Sequence, residues 1–330
     1  MSEERIERRE FLKRVGSTGL ALAGVTAGAL LLHDTRSAKE YFRDARGART
    51  KTLPSYQVEL GPTDVQMAIV HGQEVERMVR AALDALGGMG KFVQKGEVVV
   101  LKPNVAFDRP PALGATTSPE VLRAVARLCF EAGARQVIVA DNPINQPEGC
   151  FFKTGIKRAA EEVGATVMLP QPSAFEPLAI NGEVLDVWPM FYRPFARATK
   201  VIGIATCKDH NLCSASLTMK NWYGLLGGRR NQFHQQIHGV ISDFPHMIKP
   251  TLVILDAMRI LMTNGPTGGR LSDVKPGNTI ICGVDMVAVD AYGYTLLGRD
   301  PEQLDYLQRA HQRGLGNKNW QELNWRELQV

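Results

Sequence analysis

Apolar residues in this chain fall into short, unbroken runs separated by longer stretches of helical period. The runs at 65–70, 97–101, 136–140, 165–169, 200–205, 252–255 and 279–282 are largely β-branched or leucine and predict strands. Between the first two, Val75, Met78, Val79, Ala82 and Leu86 share one face of a helix predicted over 74–86. Ser118-Pro119, a capping residue followed by a first-turn proline, opens a helix that runs to Ala132 and stops at Gly133. Further helices are predicted over 155–163 and 285–297, and from Asp300-Pro301 to about 313. Asn181-Gly182, flanked by short apolar runs, predicts a hairpin. Strands apolar on both faces and alternating with helices define an α/β, Rossmann-like fold. A mostly parallel sheet carries helices on both faces, with a small antiparallel hairpin insertion.

Both ends depart from this pattern. Glu7-Arg8-Arg9-Glu10-Phe11-Leu12-Lys13 matches a twin-arginine export signal, apart from Glu7 where Ser or Thr is usual. The apolar stretch 15–32 behind it is softened by glycines, as a signal core is. Ala27-Gly28-Ala29 lies too early to be a processing site, and 18 apolar-to-small residues are close to the roughly 20 that span a bilayer. Residues 1–38 therefore read as a twin-arginine signal or an N-terminal membrane anchor, and the product as periplasmic, free or tethered to the inner membrane. Residues 39–63 read as a linker, 64–316 as the α/β domain, and 317–330 as a C-terminal tail carrying Trp320 and Trp325.

A net charge of +5 is mild and scattered, and excludes a nucleic-acid-binding surface. Five cysteines at irregular spacing exclude a disulfide framework. Neither phosphate-loop nor dinucleotide glycine motifs are present.

Candidate chemistry gathers where apolar runs end. Lys102 and Asn104, Asp141, Lys208 and His210, and Asp256 each follow a predicted strand, and parallel strands place such ends on one edge. Lys220 and Asn221 interrupt an apolar stretch, where a lysine is costly without a ligand or partner. Arg229 and Arg230 read equally as a solvated turn or an anion site. Cys207, His210 and Cys213, with His234 and His238 one helical turn apart, form a loose candidate metal set. The alternative is buried thiols with a capping and a surface histidine. Gly265, Gly268 and Gly269 allow close backbone approach to a ligand. Asp290 lies on an apolar helix and calls for a partner, for which a pocket lysine is the candidate.

In order, these residues resemble the family catalogued as domain of unknown function 362. The resemblance spans 98–316 and rests on several phrases. They are Leu-Lys102-Pro-Asn104, Lys208-x-His210, Lys220-Asn221-x-x-Gly224 with His234, Asp256, Gly265-Pro266-x-Gly268-Gly269, Asp285-Met-Val-Ala-Val-Asp290 and Gly314-Leu-Gly316. Met286 stands where proline is common in the family. The resemblance implies the fold and the pocket but no reaction. Some members carry a ferredoxin-like module, which this chain lacks, so an iron–sulfur cluster or metal remains only a candidate cofactor.

Two functions are compatible with these residues. In one, Lys102, Lys208 and Lys220 hold an anionic small molecule, His210 or His234 exchanges a proton, and Asp256 or Asp290 orients it. In the other, the chain is a non-catalytic accessory subunit of a membrane redox complex, docked through its tryptophans. Its first partner in either case is the twin-arginine export machinery.

Overall fold

In a computed structural model the described residues are 50–330, so residues 1–38, expected as a twin-arginine signal or membrane anchor, and the start of the expected linker lie outside them. The first half of the body contains β1 (Met67–His71), α1 (Val75–Ala85), α2 (Met89–Phe92), β2 (Val98–Pro103), α3 (Pro119–Glu131) and β3 (Gln136–Ala140). Next come α4 (Pro147–Lys153), α5 (Ile156–Glu162), β4 (Thr166–Met168), β5 (Phe175–Ala179) and β6 (Val187–Phe191). The second half holds β7 (Lys200–His210), β8 (Ser214–Ser216), α6 (Thr218–Asn221), α7 (Ile237–Met247) and β9 (Leu252–Leu261). It closes with β10 (Val274–Gly283), α8 (Met286–Leu296), α9 (Asp305–Gln312) and β11 (Trp325–Gln329).

One nine-stranded sheet has the order β11-β1-β10-β9-β7-β2-β3-β4, with β8 folded back on β7. Only β10 and β8 oppose the common direction, so the α/β, mostly parallel reading holds. Alternation along the strands feeds two cores. Val99, Leu101, Ile202, Ile204, Leu252 and Ile254 face α1, α3 and α5. On the other face Gly203 lies under Trp222, and Leu255 meets Gly293 of α8. A Cβ at Gly203 would stand 2.7 Å from Trp222 Cζ2, so this glycine lets the indole lie flat on the sheet. The expected hairpin is the separate antiparallel pair β5–β6, whose second strand begins only at Val187 because 183–185 are drawn to the Asp243 carboxylate on α7.

Strand order reverses between β2 and β7. From β2 the chain steps outward to β3 and β4, then returns to the opposite side of β2 for β7 and β9. Such a switch point opens a crevice beyond the strands' carboxyl ends. The β7–β9 register slips between Thr206 and Lys208, where β7 leaves the plane of its neighbours and runs on to His210.

Both flanking segments are more integrated than their polarity suggested. Residues expected to be linker pack on the body: Lys51 N–H donates to Pro177 O at 2.8 Å, and Tyr56 is buried with its N–H on Lys249 O at 2.9 Å. The tail expected to serve as a docking element supplies β11, which pairs in parallel with β1. Trp320 stands edge-on to Trp325 at 4.8 Å and to Tyr292 at 5.2 Å. Among the described residues no helix is long and apolar enough to cross a membrane.

Candidate functional site

Lys102 ends β2 at the switch point, buried in an apolar sheet where a bare ammonium would be costly. Asp141, the first residue after β3, meets it: Nζ lies 2.6 Å from Asp141 Oδ1, with both side chains almost fully buried. Lys102 Nζ also donates to Pro103 O at 2.8 Å and to Asn221 Oδ1 at 3.0 Å, while Asn221 Nδ2 donates back to Lys102 O at 3.1 Å. Asp141 Oδ2 accepts Val105 N–H at 2.7 Å. Gly224 seals this cluster, since a Cβ there would collide with Asp141 Oδ1 and lie 2.8 Å from Lys102 Nζ.

Lys208 is buried one strand over and donates to Ala115 O, with its ammonium 5.1 Å from the centre of the Phe107 ring. Burial holds its pKa well below the usual lysine range, and the neighbouring Lys220 pushes the same way. Lys220 is part-buried, with Nζ 4.9 Å from the Tyr223 ring centre and no carboxylate or hydrogen-bond acceptor within reach among the described residues. Its pKa is also lowered, by burial first. Arg230, from the 3-10 turn Arg230–Gln236, spends its guanidinium on Gly224 O, Leu226 O, Asn142 O and Pro143 O. Its guanidinium therefore brings a positive charge with no ion pair among the described residues.

These groups line one cavity of about 170 Å³, together with Asn104, His210, His234, Phe107 and Tyr223. Leu212 N–H donates to His210 Nδ1 at 3.2 Å, which places the ring proton on Nε2. Burial, reinforced by Lys220 and Lys208, lowers the His210 pKa to about 2, so this ring offers the cavity a hydrogen-bond donor and is not a base. His234 is held below the normal histidine value by burial, then by Lys220 and Arg230. It stacks on Tyr223 at 6.0 Å between ring centres. Ile144 and Leu212 form the mouth, 61% and 47% exposed.

Several expected site residues lie elsewhere. Asp256 is buried behind the cavity, with Oδ2 accepting Ser118 N–H at 2.7 Å and Oδ1 accepting Met258 N–H at 3.1 Å, so it anchors the start of α3. Among the described residues Asp290 is paired with no lysine. It accepts Thr218 N–H at 2.7 Å, Met219 N–H at 3.0 Å and the Thr218 hydroxyl, capping the short α6 that carries Lys220 and Asn221. Gly265 packs against the Asp209 main chain and Gly268 against Leu261, Gly269 is open, and only Pro266 of that loop reaches the cavity. The metal set does not assemble: Cys207 turns to Gly293 O, Cys213 to Ala215 O, and His238 to Asp305 and Tyr306. Among the described residues no group of three or more His, Cys, Asp or Glu side chains is placed to hold a metal ion. Trp222, expected as an interface anchor, is fully buried.

Arg230 is the main contributor that sequence reasoning left undecided. Its neighbour Arg229 is exposed, and only the carbonyl-rich turn around 224–226 separates the two roles. Ile144 and Leu212 were not singled out at all, because an isolated apolar loop residue carries no periodic signal.

Residues 99–295 match the family described as domain of unknown function (DUF362), and the chain belongs to it. A thylakoid-associated protein of Synechocystis sp. is 25% identical over 252 residues, covering 72% of this chain and 74% of that relative.

Proposed function

We propose that this protein binds a small anion, a phosphate or carboxylate compound, in the switch-point cavity, and that it does so outside the cytoplasm and close to a membrane. The observation that carries the first part is the charge imbalance: Lys102, Lys208, Lys220 and Arg230 converge on a cavity whose lining holds one carboxylate, Asp141, already engaged by Lys102. Lys220, without an anionic partner among the described residues, is the primary contact. Lys208 and Arg230 supply field, His210 donates through Nε2–H, and neutral His234 is the group able to take a proton from a bound ligand. The second part is supported by the twin-arginine leader and by the thylakoid-associated relative.

An anion entering the cavity raises the depressed lysine pKa values, so binding takes up protons and weakens as pH rises. Titration calorimetry with inorganic phosphate and with pyruvate, in buffers of different ionisation enthalpy, reads both quantities. Lys220→Met is expected to lose about 10-fold or more in affinity, the scale of one charge-assisted contact, with little change in melting temperature. Binding by neither probe, or full affinity in Lys220→Met, would remove the reading. For location, Arg8→Lys combined with Arg9→Lys is expected to leave the protein in the cytoplasmic fraction. An unchanged distribution on fractionation would refute export by this route.

A further inference from the structure

The cavity is built with two unlike ends. Its floor is basic and buried: Lys102 and Lys208 are each 1% exposed and belong to the sheet. Its mouth is apolar and open. The described residues include four exposed large apolar side chains, Ile144, Phe152, Leu212 and Leu271, and two of the four, Ile144 and Leu212, line this one cavity. They arrive from different elements. Ile144 lies on the loop after β3, fixed by its N–H on Ala106 O at 2.9 Å, and Leu212 sits in the β7–β8 turn, fixed by its N–H on His210. Ala106, Phe107 and Pro266 continue the apolar wall between mouth and floor.

Single exposed leucines are ordinary on a protein surface. A pair held by main-chain hydrogen bonds on opposite loops, over a basic floor, is a different matter. A free inorganic anion would gain nothing from these side chains, since a hydrated anion prefers a polar rim. An anion carrying a hydrocarbon chain would bury both of its ends.

We infer that the ligand of this cavity is amphipathic: an anionic head seated among Lys208, Lys220 and Arg230, with an alkyl or acyl chain leaving between Ile144 and Leu212. This rests on the anion-binding reading above and specifies its substrate class. The chain continues outward through the mouth, so the site discriminates for the first few carbons after the head and tolerates length beyond them.

The test compares inorganic phosphate with octyl phosphate, kept below its micellar concentration, on the full-length protein by titration calorimetry. Octyl phosphate is expected to bind about 30-fold more tightly than phosphate, the gain from burying two or three methylenes. In the double variant Ile144→Ser with Leu212→Ser that gain is expected to vanish while phosphate affinity stays, because both side chains are exposed and neither touches the head. Octyl phosphate binding no tighter than phosphate, or a gain that survives the double variant, would overturn the inference and leave anion binding intact. Binding to vesicles of phosphatidylcholine with phosphatidic acid, without affinity for monomeric octyl phosphate, would also overturn it, because the mouth would then be a membrane contact. Failure of the anion reading itself is distinct: neither phosphate nor octyl phosphate would bind.

Discussion

Gly224 shows how tightly single residues define the basic floor. It has no side chain because Asp141 Oδ1 and Lys102 Nζ occupy that space, and backbone approach there lets Arg230 reach Gly224 O. Gly224→Ala is therefore expected to lower stability by about 1–3 kcal/mol, the range for overpacking a filled interior. It should also weaken phosphate binding, because the Lys102–Asp141 contact has to open. Denaturant melts and calorimetry on the same variant check both, and a variant with unchanged stability would mean the pair relaxes freely. At this scale the sequence was informative where chemistry follows a strand. Lys102, Asn104, Asp141, Lys208 and His210 were legible because each follows an apolar run and parallel strands bring such ends to one edge. Asp256 and Asp290 misled for a physical reason: a buried carboxylate satisfied by main-chain N–H groups carries the same local pattern as one aimed at a ligand.

Among elements, the four-residue α6 is too short to be stable by itself. It is held by Asp290 on α8, whose carboxylate takes the first N–H groups of the turn. Burial raises the Asp290 pKa to about 7, against the opposing effect of the Thr218 and Met219 hydrogen bonds. With the folded value above the unfolded one near 3.8, the carboxyl's contribution is complete below about pH 4, declines as pH rises toward 7, and levels off beyond. In Asp290→Asn an amide NH₂ faces main-chain donors, and a loss of about 2 kcal/mol at low pH is expected, toward the upper end for a helix cap. The stability difference between wild type and variant should shrink between pH 4 and 7, measured by thermal melts across that range. A difference that grows with pH would contradict this assignment. Elements of clear period were legible in kind, but α4, α7 and β8 were not, and nor were the limits of the rest. The strands β7 and β9 run past Ala205 and Leu255 because Lys208, Asp209 and His210 pair with β8 and because Ala257, Arg259, Ile260 and Leu261 pair with β10. No local pattern reveals that.

For the whole molecule, the sheet separates what stabilises from what binds. β1, β10 and β9 lie between the edge strand β11 and β7, where the cavity begins. Removing residues 325–330 is expected to lower the melting temperature by several degrees, through lost edge pairing and the lost His71–Glu327 contact at 2.6 Å. Phosphate affinity should not change. A truncated protein that keeps its melting temperature, or loses its affinity with its stability, would show that the two ends of the sheet are coupled. The overall class was readable because period and run length specify a parallel sheet. The edge was not: β11 reads Trp-Arg-Glu-Leu-Gln, polar on its outward side and short, as an exposed edge tends to be.

That edge also constrains when the protein can become complete. β1 starts at Met67, yet its two neighbours are β10 and β11, so it waits for Gly283 on one side and Gln329 on the other. The ribosome delivers β2, β3 and β4 long before either, and those strands can assemble with α3 and α5 while β1 stays unpaired. Contacts of such sequence separation form late and slowly. Under the export route proposed above, transport after folding would suit this order of assembly, whereas threading an extended chain would part β1 from its partners. The first of the described strands to be made is thus among the last to find its place.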